Sequence, residues 1–203
     1  MADLLRTGAP LDYHELVDLA LDGLLHRIAP DCWVAVGTRV DAHVRAQALG
    51  PAPVNRLVLS HRSAYWVWWG QGLGPVTPEY TTARRRRLRG AQLACTVHEK
   101  NLDPSEIALL SGIAVTTRER TLRDVLMTTV DRVLADLRAE TGAPVARVAP
   151  EDLPEAALTE ARAVLLTLPE EHRQDFGEYI AGAYRLPGLM TLRALVDRAL
   201  RGL

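Results

Sequence analysis

The sequence predicts an α+β protein with a small N-terminal winged-helix-like remnant, a mixed α/β central domain and a helical C-terminal third. Short strand-like segments and helices alternate in the centre, whereas apolar residues recur at helical spacing in the last third. The run Gly50-Pro51-Ala52-Pro53 marks a boundary. We therefore expect a truncated winged-helix-like module over residues 1–50 and a second domain over residues 51–203. This second domain has a mixed α/β core to about residue 142 and helices over residues 150–203.

The composition is that of a soluble globular protein. Of the 203 residues, 48% are apolar and 24% are charged, which excludes a disordered tail, a collagen-like fibre and a disulfide-stapled mini-protein. The longest strongly apolar run, residues 63–70, is too short to cross a bilayer as a helix, which needs about 20 residues. No basic stretch followed by an apolar one opens the chain, so no secretory signal is expected. These features predict a cytoplasmic protein without membrane association.

The N-terminal module is predicted to be a helix followed by a hairpin. Apolar residues at helical spacing indicate a short helix over Tyr13 to Leu25, and Gly23 favours its end. Residues 24–37 alternate around a Pro30-Asp31 turn, as in a β-hairpin. This order is typical of the C-terminal half of a winged helix. Only about twelve residues precede Tyr13, so the module is expected to be cut down.

The central segment is predicted to contain short strands and two helices. The strand-like segments are Val54 to Leu59, Val76 to Thr81, Gln92 to Val97 and Gly112 to Thr116. Ser60 is a candidate N-cap for a helix from Arg62 to about Gly70. Thr116-Thr117-Arg118-Glu119 has the T-x-x-E pattern of a capping box. The helix that follows has a continuous apolar stripe made of Leu122, Val125, Leu126, Val130, Val133, Leu134 and Leu137.

The last third is predicted to be helical throughout. Leu158, Ala161, Leu165 and Leu168 form one helical face. Pro169 and the two acids after it suit the first turn of the next helix. Pro187-Gly188 breaks that helix, and residues 189–200 form a final amphipathic one.

Charge is segregated along the chain although the net charge is only −1. Residues 1–50 have a net charge of −3, residues 51–123 of +6 and residues 124–203 of −4. A basic centre between acidic flanks suggests a surface that meets an anion or an acidic partner. Lys100 is the single lysine, so any catalytic lysine must be this residue.

No familiar catalytic or metal-binding motif is present. The six histidines have no metal-ligand spacing, so we expect no metal site. Cys32 and Cys95 belong to no motif, and we expect two free thiols, with a structural disulfide between them as the alternative. No nucleotide-binding glycine motif appears either, and no cofactor is expected.

The strongest electrostatic feature is the basic run made of Arg84, Arg85, Arg86, Arg87 and Arg89. Arginine forms bidentate pairs with phosphate or carboxylate, so the run is a candidate contact for an anion or an acidic protein. The alternative is a solvated edge strand that its charges protect from aggregation. Arg62 is a further candidate for the same contact.

Two other groups have both a functional and a structural interpretation. Tyr65, Trp68 and Trp69 share one face of the predicted helix, as a core or domain-interface anchor or as a partner-binding hot spot. Arg120 and Thr121 open the best-marked helix. They are either structural residues or part of an anion site at a helix N-terminus.

The order of these segments resembles the AbiEi family of antitoxins over roughly residues 54–135. Ser60-His61-Arg62-Ser63-Ala64 and Gly70 resemble that family's S-x-x-S-A…G helix. After the basic run, His98, Leu102 and the segment from Gly112 to Asp124 resemble its G-(I/L)-P-V-T-(T/S)-x-x-R-T-L-x-D motif. Ala114 replaces the proline of the motif.

The resemblance implies an antitoxin of a type IV toxin–antitoxin pair, whose partner is a nucleotidyltransferase-like toxin. The chain would neutralise this toxin by direct contact or by modifying it. One alternative is an atypical serine/threonine kinase that phosphorylates the toxin, with ATP and Mg²⁺ as cofactors and Lys100 and Asp124 as its catalytic residues.

The second alternative, also implied by the resemblance, is a DNA-binding autorepressor of its own operon. The predicted N-terminal helix carries Asp12, Glu15, Asp18 and Asp22 and no Arg or Lys. Such a helix is repelled by DNA phosphates, so operator binding through this module is not favoured.

Overall fold

The computed structural model describes residues 3–8, 10–54, 57–82, 94–184 and 187–203. It confirms a mixed α+β fold with a helical C-terminal region. The chain divides into two compact units, Met1–Thr121 and Leu122–Leu203. The separate module predicted over residues 1–50 stays a prediction. The basic run at residues 84–89 lies outside the described residues.

The N-terminal part of the first unit contains a helix, a hairpin and a second helix. α1 (Tyr13–Leu21) begins with a reciprocal capping box between Asp12 and Glu15, which uses two of its acids. β1 (Leu25–Ala29) and β2 (Cys32–Ala35) form the predicted antiparallel hairpin. α2 (Ala42–Leu49) begins at Asp41, whose side chain accepts a hydrogen bond from the Val44 backbone N–H.

A five-stranded mixed sheet forms the rest of the first unit. Its strands lie in the order β5-β4-β3-β7-β6. They are β3 (Leu57–Leu59), β4 (Glu79–Thr82), β5 (Thr96–His98), β6 (Ile107–Leu110) and β7 (Ile113–Thr116). β3 is parallel to β7 and antiparallel to β4, and β4 is parallel to β5. Because β3 and β7 are parallel, the helices that follow them begin at the same edge of the sheet.

Those two helices are α3 (His61–Trp69), which follows β3, and α4 (Arg118–Thr141), which follows β7. The helix over residues 62–70 was therefore predicted to within one residue. The core of the unit is continuous from the N-terminal hairpin to the sheet. Its buried members include Ile28, Val34, Leu59 and Val115.

Of the two predicted helix caps, one is confirmed in position only and the other is wrong. Ser60 occupies the N-cap position of α3, but its side chain makes no capping hydrogen bond. Thr116 lies in β7, and its hydroxyl bonds to the hydroxyl of Thr121 at 2.7 Å. The side chain at the start of α4 that accepts a backbone N–H, from Arg120 at 3.4 Å, is Thr117. The helix therefore begins one residue later than the T-x-x-E pattern predicts, and Thr116 and Glu119 form no capping box.

The second unit is helical. After the remaining turns of α4 come α5 (Glu155–Leu165), α6 (Glu170–Gly182) and α7 (Leu189–Arg201). Leu158, Leu165, Ile180, Leu192 and Leu195 are almost completely buried in its core. Short 3₁₀ turns at Pro104–Glu106 and Pro150–Asp152 complete the described elements. No helix in these described ranges is both long enough and apolar enough to cross a membrane.

Candidate functional site

A cluster of polar side chains lies where α3 begins, on the first unit. Ser60 leaves β3 in an extended conformation, and His61 then takes a positive φ of 49°. Positive φ is uncommon outside glycine, although histidine is among the residues that tolerate it. His61 is 2% exposed. A buried side chain on a strained backbone at the start of a helix is a recurrent mark of functional sites.

Ser60 joins His61 to the neighbouring strand. The Ser60 Oγ accepts a hydrogen bond from the Thr81 Oγ1 at 2.8 Å and lies 3.0 Å from the His61 Nδ1. All three residues are buried. These bonds explain why Ser60 does not cap α3: its hydroxyl is turned toward the sheet rather than toward the helix N–H groups.

Glu79 opens β4 and is tied to the same helix. Its backbone N–H donates to the Ser63 Oγ at 2.8 Å, and its carbonyl accepts from the Ser60 N–H at 3.0 Å. Glu79 and Thr81 are two positions apart on one strand, so they share a face. His98 pairs in register with Thr81. The Glu79 Oε2 lies 2.9 Å from the His98 Nε2.

The two histidines stack on one another. Their ring centroids are 3.6 Å apart, with 18° between the ring planes. Burial lowers the pKa of His61 to about 3, and the nearby His98, Lys100 and Arg120 act in the same direction. Burial raises the pKa of Glu79, but the hydrogen bond from His98 and the histidine charges outweigh it, so the net shift is downward. The site therefore holds a neutral imidazole beside a carboxylate.

His61, Glu79 and His98 form a possible set of metal ligands. Their potential ligand atoms all lie within 4.8 Å of one another. The sequence predicts no metal site, because these residues are 18 and 19 positions apart and match no ligand spacing. The available signal was that His61 and His98 both belong to segments that carry the family resemblance.

The predicted anion-binding residues have different surroundings. Arg62 is exposed, and its charge helps to lower the pKa of Glu79. Arg120 is 2% exposed, and its Nη1 lies 2.5 Å from the Glu106 Oε2 and 3.3 Å from the Asn101 carbonyl oxygen. Thr121 is completely buried and donates to the Thr116 carbonyl oxygen. Arg120 and Thr121 thus have internal structural roles, and an anion site there stays a prediction.

The candidate phosphotransfer residues lie in different units. Lys100 is half-buried in the first unit, where its charge lowers the pKa of His61. Asp124 belongs to the second unit and is 2% exposed.

The aromatic residues of α3 are packed to different degrees. The Trp68 Nε1 donates to the Thr116 carbonyl oxygen at 2.8 Å, and the Arg118 guanidinium lies 4.9 Å from the centroid of the Trp68 ring. Tyr65 and Trp69 are half-buried, with ring centroids 4.9 Å apart. Trp66, which the sequence analysis left out of the anchor, is the most buried of the four, at 5% exposed. Trp68 is therefore an anchor within the first unit.

A cleft of about 890 Å³ lies in the second unit, between α6, α7 and residues 147–150. Its lining includes Arg147, Met190 and Arg193 and none of the predicted site residues.

No known family model matches the chain, and no curated protein matches it.

Proposed function

We propose that the chain is the antitoxin of a type IV toxin–antitoxin pair and neutralises a nucleotidyltransferase-like toxin by direct contact in the cytoplasm. The observation that supports this proposal is the meeting of the two resemblance segments. The segment from Ser60 to Gly70 and the segment from Gly112 to Asp124 are far apart in sequence. Leu59, which immediately precedes the first segment, pairs in the sheet with Val115 of the second, and Trp68 of the first segment donates to Thr116 of the second.

The electrostatics favour an acidic partner. Arg62, at the start of α3, and Arg118, at the start of α4, are both exposed. They belong to the stretch of residues 51–123, whose net charge is +6. Exposed guanidinium groups pair with carboxylates or phosphates, and a basic surface speeds the encounter with an acidic one.

Growth rescue tests the proposal. The chain is co-expressed with a nucleotidyltransferase-like protein encoded beside it, and growth is compared with that of cells expressing the toxin alone. We expect growth to be restored and the two proteins to co-purify, with the toxin at its unmodified mass. Persistent toxicity at full expression of the chain contradicts the proposal.

Variants of the basic surface test the mode of contact. The pair Arg62→Ser and Arg118→Ser should weaken both rescue and co-purification. A matched pair in the second unit, Arg198→Ser and Arg201→Ser, removes the same charge from α7 and should leave both unchanged. Equal rescue by the two double variants would exclude the surface around Arg62 and Arg118 from the contact.

The mass of the toxin and a DNA-binding assay separate the two alternatives, which stay predictions. A toxin that gains the mass of a phosphoryl group would favour the kinase, with Lys100 and Asp124 as its candidate residues. A shift of the chain's own promoter DNA at about 150 mM salt would favour the autorepressor, because non-specific phosphate contacts weaken steeply as salt rises.

A further inference from the structure

We propose that His61, Glu79 and His98 bind a divalent transition-metal ion, and that Zn²⁺ is the ion this donor set fits best. The inference is independent of the antitoxin function. Two imidazole nitrogens and one carboxylate oxygen are a common protein ligand set for zinc and leave a further coordination position open. Hard cations such as Mg²⁺ prefer all-oxygen sites, so they fit this set poorly.

The distances suit an ion once the two stacked histidine rings have turned apart. Ligand atoms about 2.0–2.2 Å from a tetrahedral ion are roughly 3.3 Å apart. The His98 Nε2 and the Glu79 Oε2 are already 2.9 Å apart, and the three potential ligand atoms lie within 4.8 Å of one another. Closing the widest gap on an ion therefore requires a shift of about 1.5 Å. The stacked His61 and His98 rings must also turn out of their stack, so that the in-plane lone pairs of both point at the ion.

The residues that hydrogen-bond to the three candidate ligands can orient them, as the hydrogen-bond partners of metal ligands usually do. Metal-bound histidines usually donate their second ring N–H to an oxygen, which orients the ring. The Ser60 Oγ, 3.0 Å from the His61 Nδ1, can accept such a bond, which leaves the Nε2 lone pair for the ion. Thr81 in turn holds Ser60, and Ser63 holds the backbone of Glu79. The ligand side chains thus come from three elements that are already tied together.

The backbone at His61 is a second, independent observation. His61 has a positive φ of 49°, a strained backbone conformation for a residue other than glycine, and its buried imidazole stacks on His98. Such backbone strain is typical of functional sites. An ion would stabilise this conformation by joining the start of α3 to β4 and β5. These two strands flank residues 83–93 in the sequence, which include the basic run.

Nearby charges predict how the affinity can be tuned. The positive charge of Lys100 lowers the pKa of His61 and, for the same electrostatic reason, disfavours a metal cation bound at this ring. The charge of Arg120 also reaches it, but Arg120 is paired with Glu106. Lys100→Met should therefore tighten Zn²⁺ binding.

Titration calorimetry with Zn²⁺ tests the site on the full chain after treatment with a chelator. We expect one ion per chain, and affinity lower by about tenfold or more in His61→Asn, Glu79→Gln and His98→Asn. Asparagine tolerates the positive φ of residue 61, so this variant keeps the backbone. The matched control is His26→Asn, an exposed histidine on β1, and it should bind as the wild type does. Binding that is absent, or equal in all variants, overturns the proposal.

Cobalt spectroscopy tests the site in the wild-type chain, so its result does not depend on whether a substituted variant folds. Co²⁺ in the wild-type chain should show the visible bands of a four- or five-coordinate site with nitrogen and oxygen ligands, and Zn²⁺ should displace it. A sulfur-to-cobalt charge-transfer band would assign the ion to Cys32 or Cys95 instead and overturn the proposal. Bands of hexaaquo cobalt alone would do the same.

Discussion

At the scale of single residues, His61 shows how burial and backbone geometry together define a site. The His61 ring contacts the Ser60 hydroxyl and the stacked ring of His98. Among the hydrogen bonds of the described residues given above, none joins this ring to a carboxylate. The carboxylate of Glu79 hydrogen-bonds to His98 instead. Burial therefore dominates, and the protonated form of His61 is strongly disfavoured.

This burial makes the stability of the metal-free protein dependent on pH. The pKa of His61 falls from 6.5 to about 3 on folding, so below pH 6.5 the unfolded chain binds a proton that the folded chain does not. Stability is fully present above the unfolded pKa and falls as the pH drops toward 3. Between pH 7 and pH 5 the contribution of this group falls by about 2 kcal/mol.

Urea unfolding at these two pH values, in the presence of a chelator, measures the effect. His61→Asn lacks the titrating ring, so its loss of stability between pH 7 and pH 5 should be smaller than that of the wild type by about the same 2 kcal/mol. An equal loss in both proteins would show that His61 is readily protonated in the folded state.

Arg120 illustrates a residue whose functional interpretation changes once its surroundings are known. The sequence places it at a helix start, where an anion site is plausible. The structure buries it beside Glu106, whose carboxylate also accepts the Asp103 backbone N–H. Removing Arg120 takes the cation away from the partly buried Glu106 carboxylate, which is costly even though that carboxylate keeps the Asp103 N–H.

Arg120→Met should therefore lower the free energy of unfolding by about 3 kcal/mol. Arg118→Met is the control. It lies two positions earlier, is exposed and loses only its contact with the Trp68 ring, which is worth about 0.5–1 kcal/mol. Chemical denaturation of both variants gives the comparison. A loss at Arg120 no larger than that at Arg118 would contradict the structural role assigned to the pair.

At the scale of elements, α2 and the end of α3 are held together by one side chain. The Arg45 guanidinium donates to the carbonyl oxygens of Val67, Trp68 and Val40, at 2.8, 3.1 and 2.7 Å. Two of these carbonyls belong to the last turn of α3, which has no intrahelical donors for them. Gly70 ends the helix with a φ of 65°, and a Cβ there would lie 2.5 Å from the Arg45 Nη1.

Arg45→Ala should destabilise the first unit by about 2–3 kcal/mol, because hydrogen bonds from a charged donor are worth roughly 1.5–3 kcal/mol each and partly return to water. Thermal unfolding followed by circular dichroism measures the loss. Arg39→Ala is the control, since Arg39 is exposed and lies two positions before Asp41, at which α2 begins. A Tm for Arg45→Ala within a degree of the control would contradict the capping role.

The elements that the sequence predicted are those with local signals. The hairpin has a Pro-Asp turn, α3 is bounded by Ser60 and Gly70, and the apolar stripe of α4 is long. β6 was missed because Ile107–Leu110 contains Ala and Leu, which favour helices. The Ser111-Gly112 turn, where both residues have positive φ, joins β6 to β7 as a hairpin. In the sequence this turn indicates a hairpin only when the segment before it is already recognised as a strand. α2 was also missed, since it is short and only weakly amphipathic.

At the scale of the whole molecule, the candidate site could not be predicted because its parts come from different strands. The periodicity of a sequence reports which face of an element is buried, but it does not report which elements become neighbours. Sheet pairing places His98 opposite Thr81, and α3 then brings His61 over both. His61 and His98 belong to segments that carry the family resemblance, whereas Glu79 does not, and ligand spacing along the chain gave no indication of the cluster.

Charge segregation is the molecular feature most directly related to the proposed function. The net charge of +6 over residues 51–123 includes the basic run, the exposed Arg62 and Arg118, and Lys100. Binding through the exposed Arg62 and Arg118 should weaken as ionic strength rises, since screening acts on exposed charges first.

The most direct test of the proposal is to mix the purified chain with the nucleotidyltransferase-like protein that the proposal names as its toxin partner. The account predicts loss of nucleotidyltransfer, elution of the two proteins as one complex, and an unchanged intact mass of the toxin. A toxin that stays active in excess chain would contradict the account, and so would a silenced toxin that elutes alone with added phosphate.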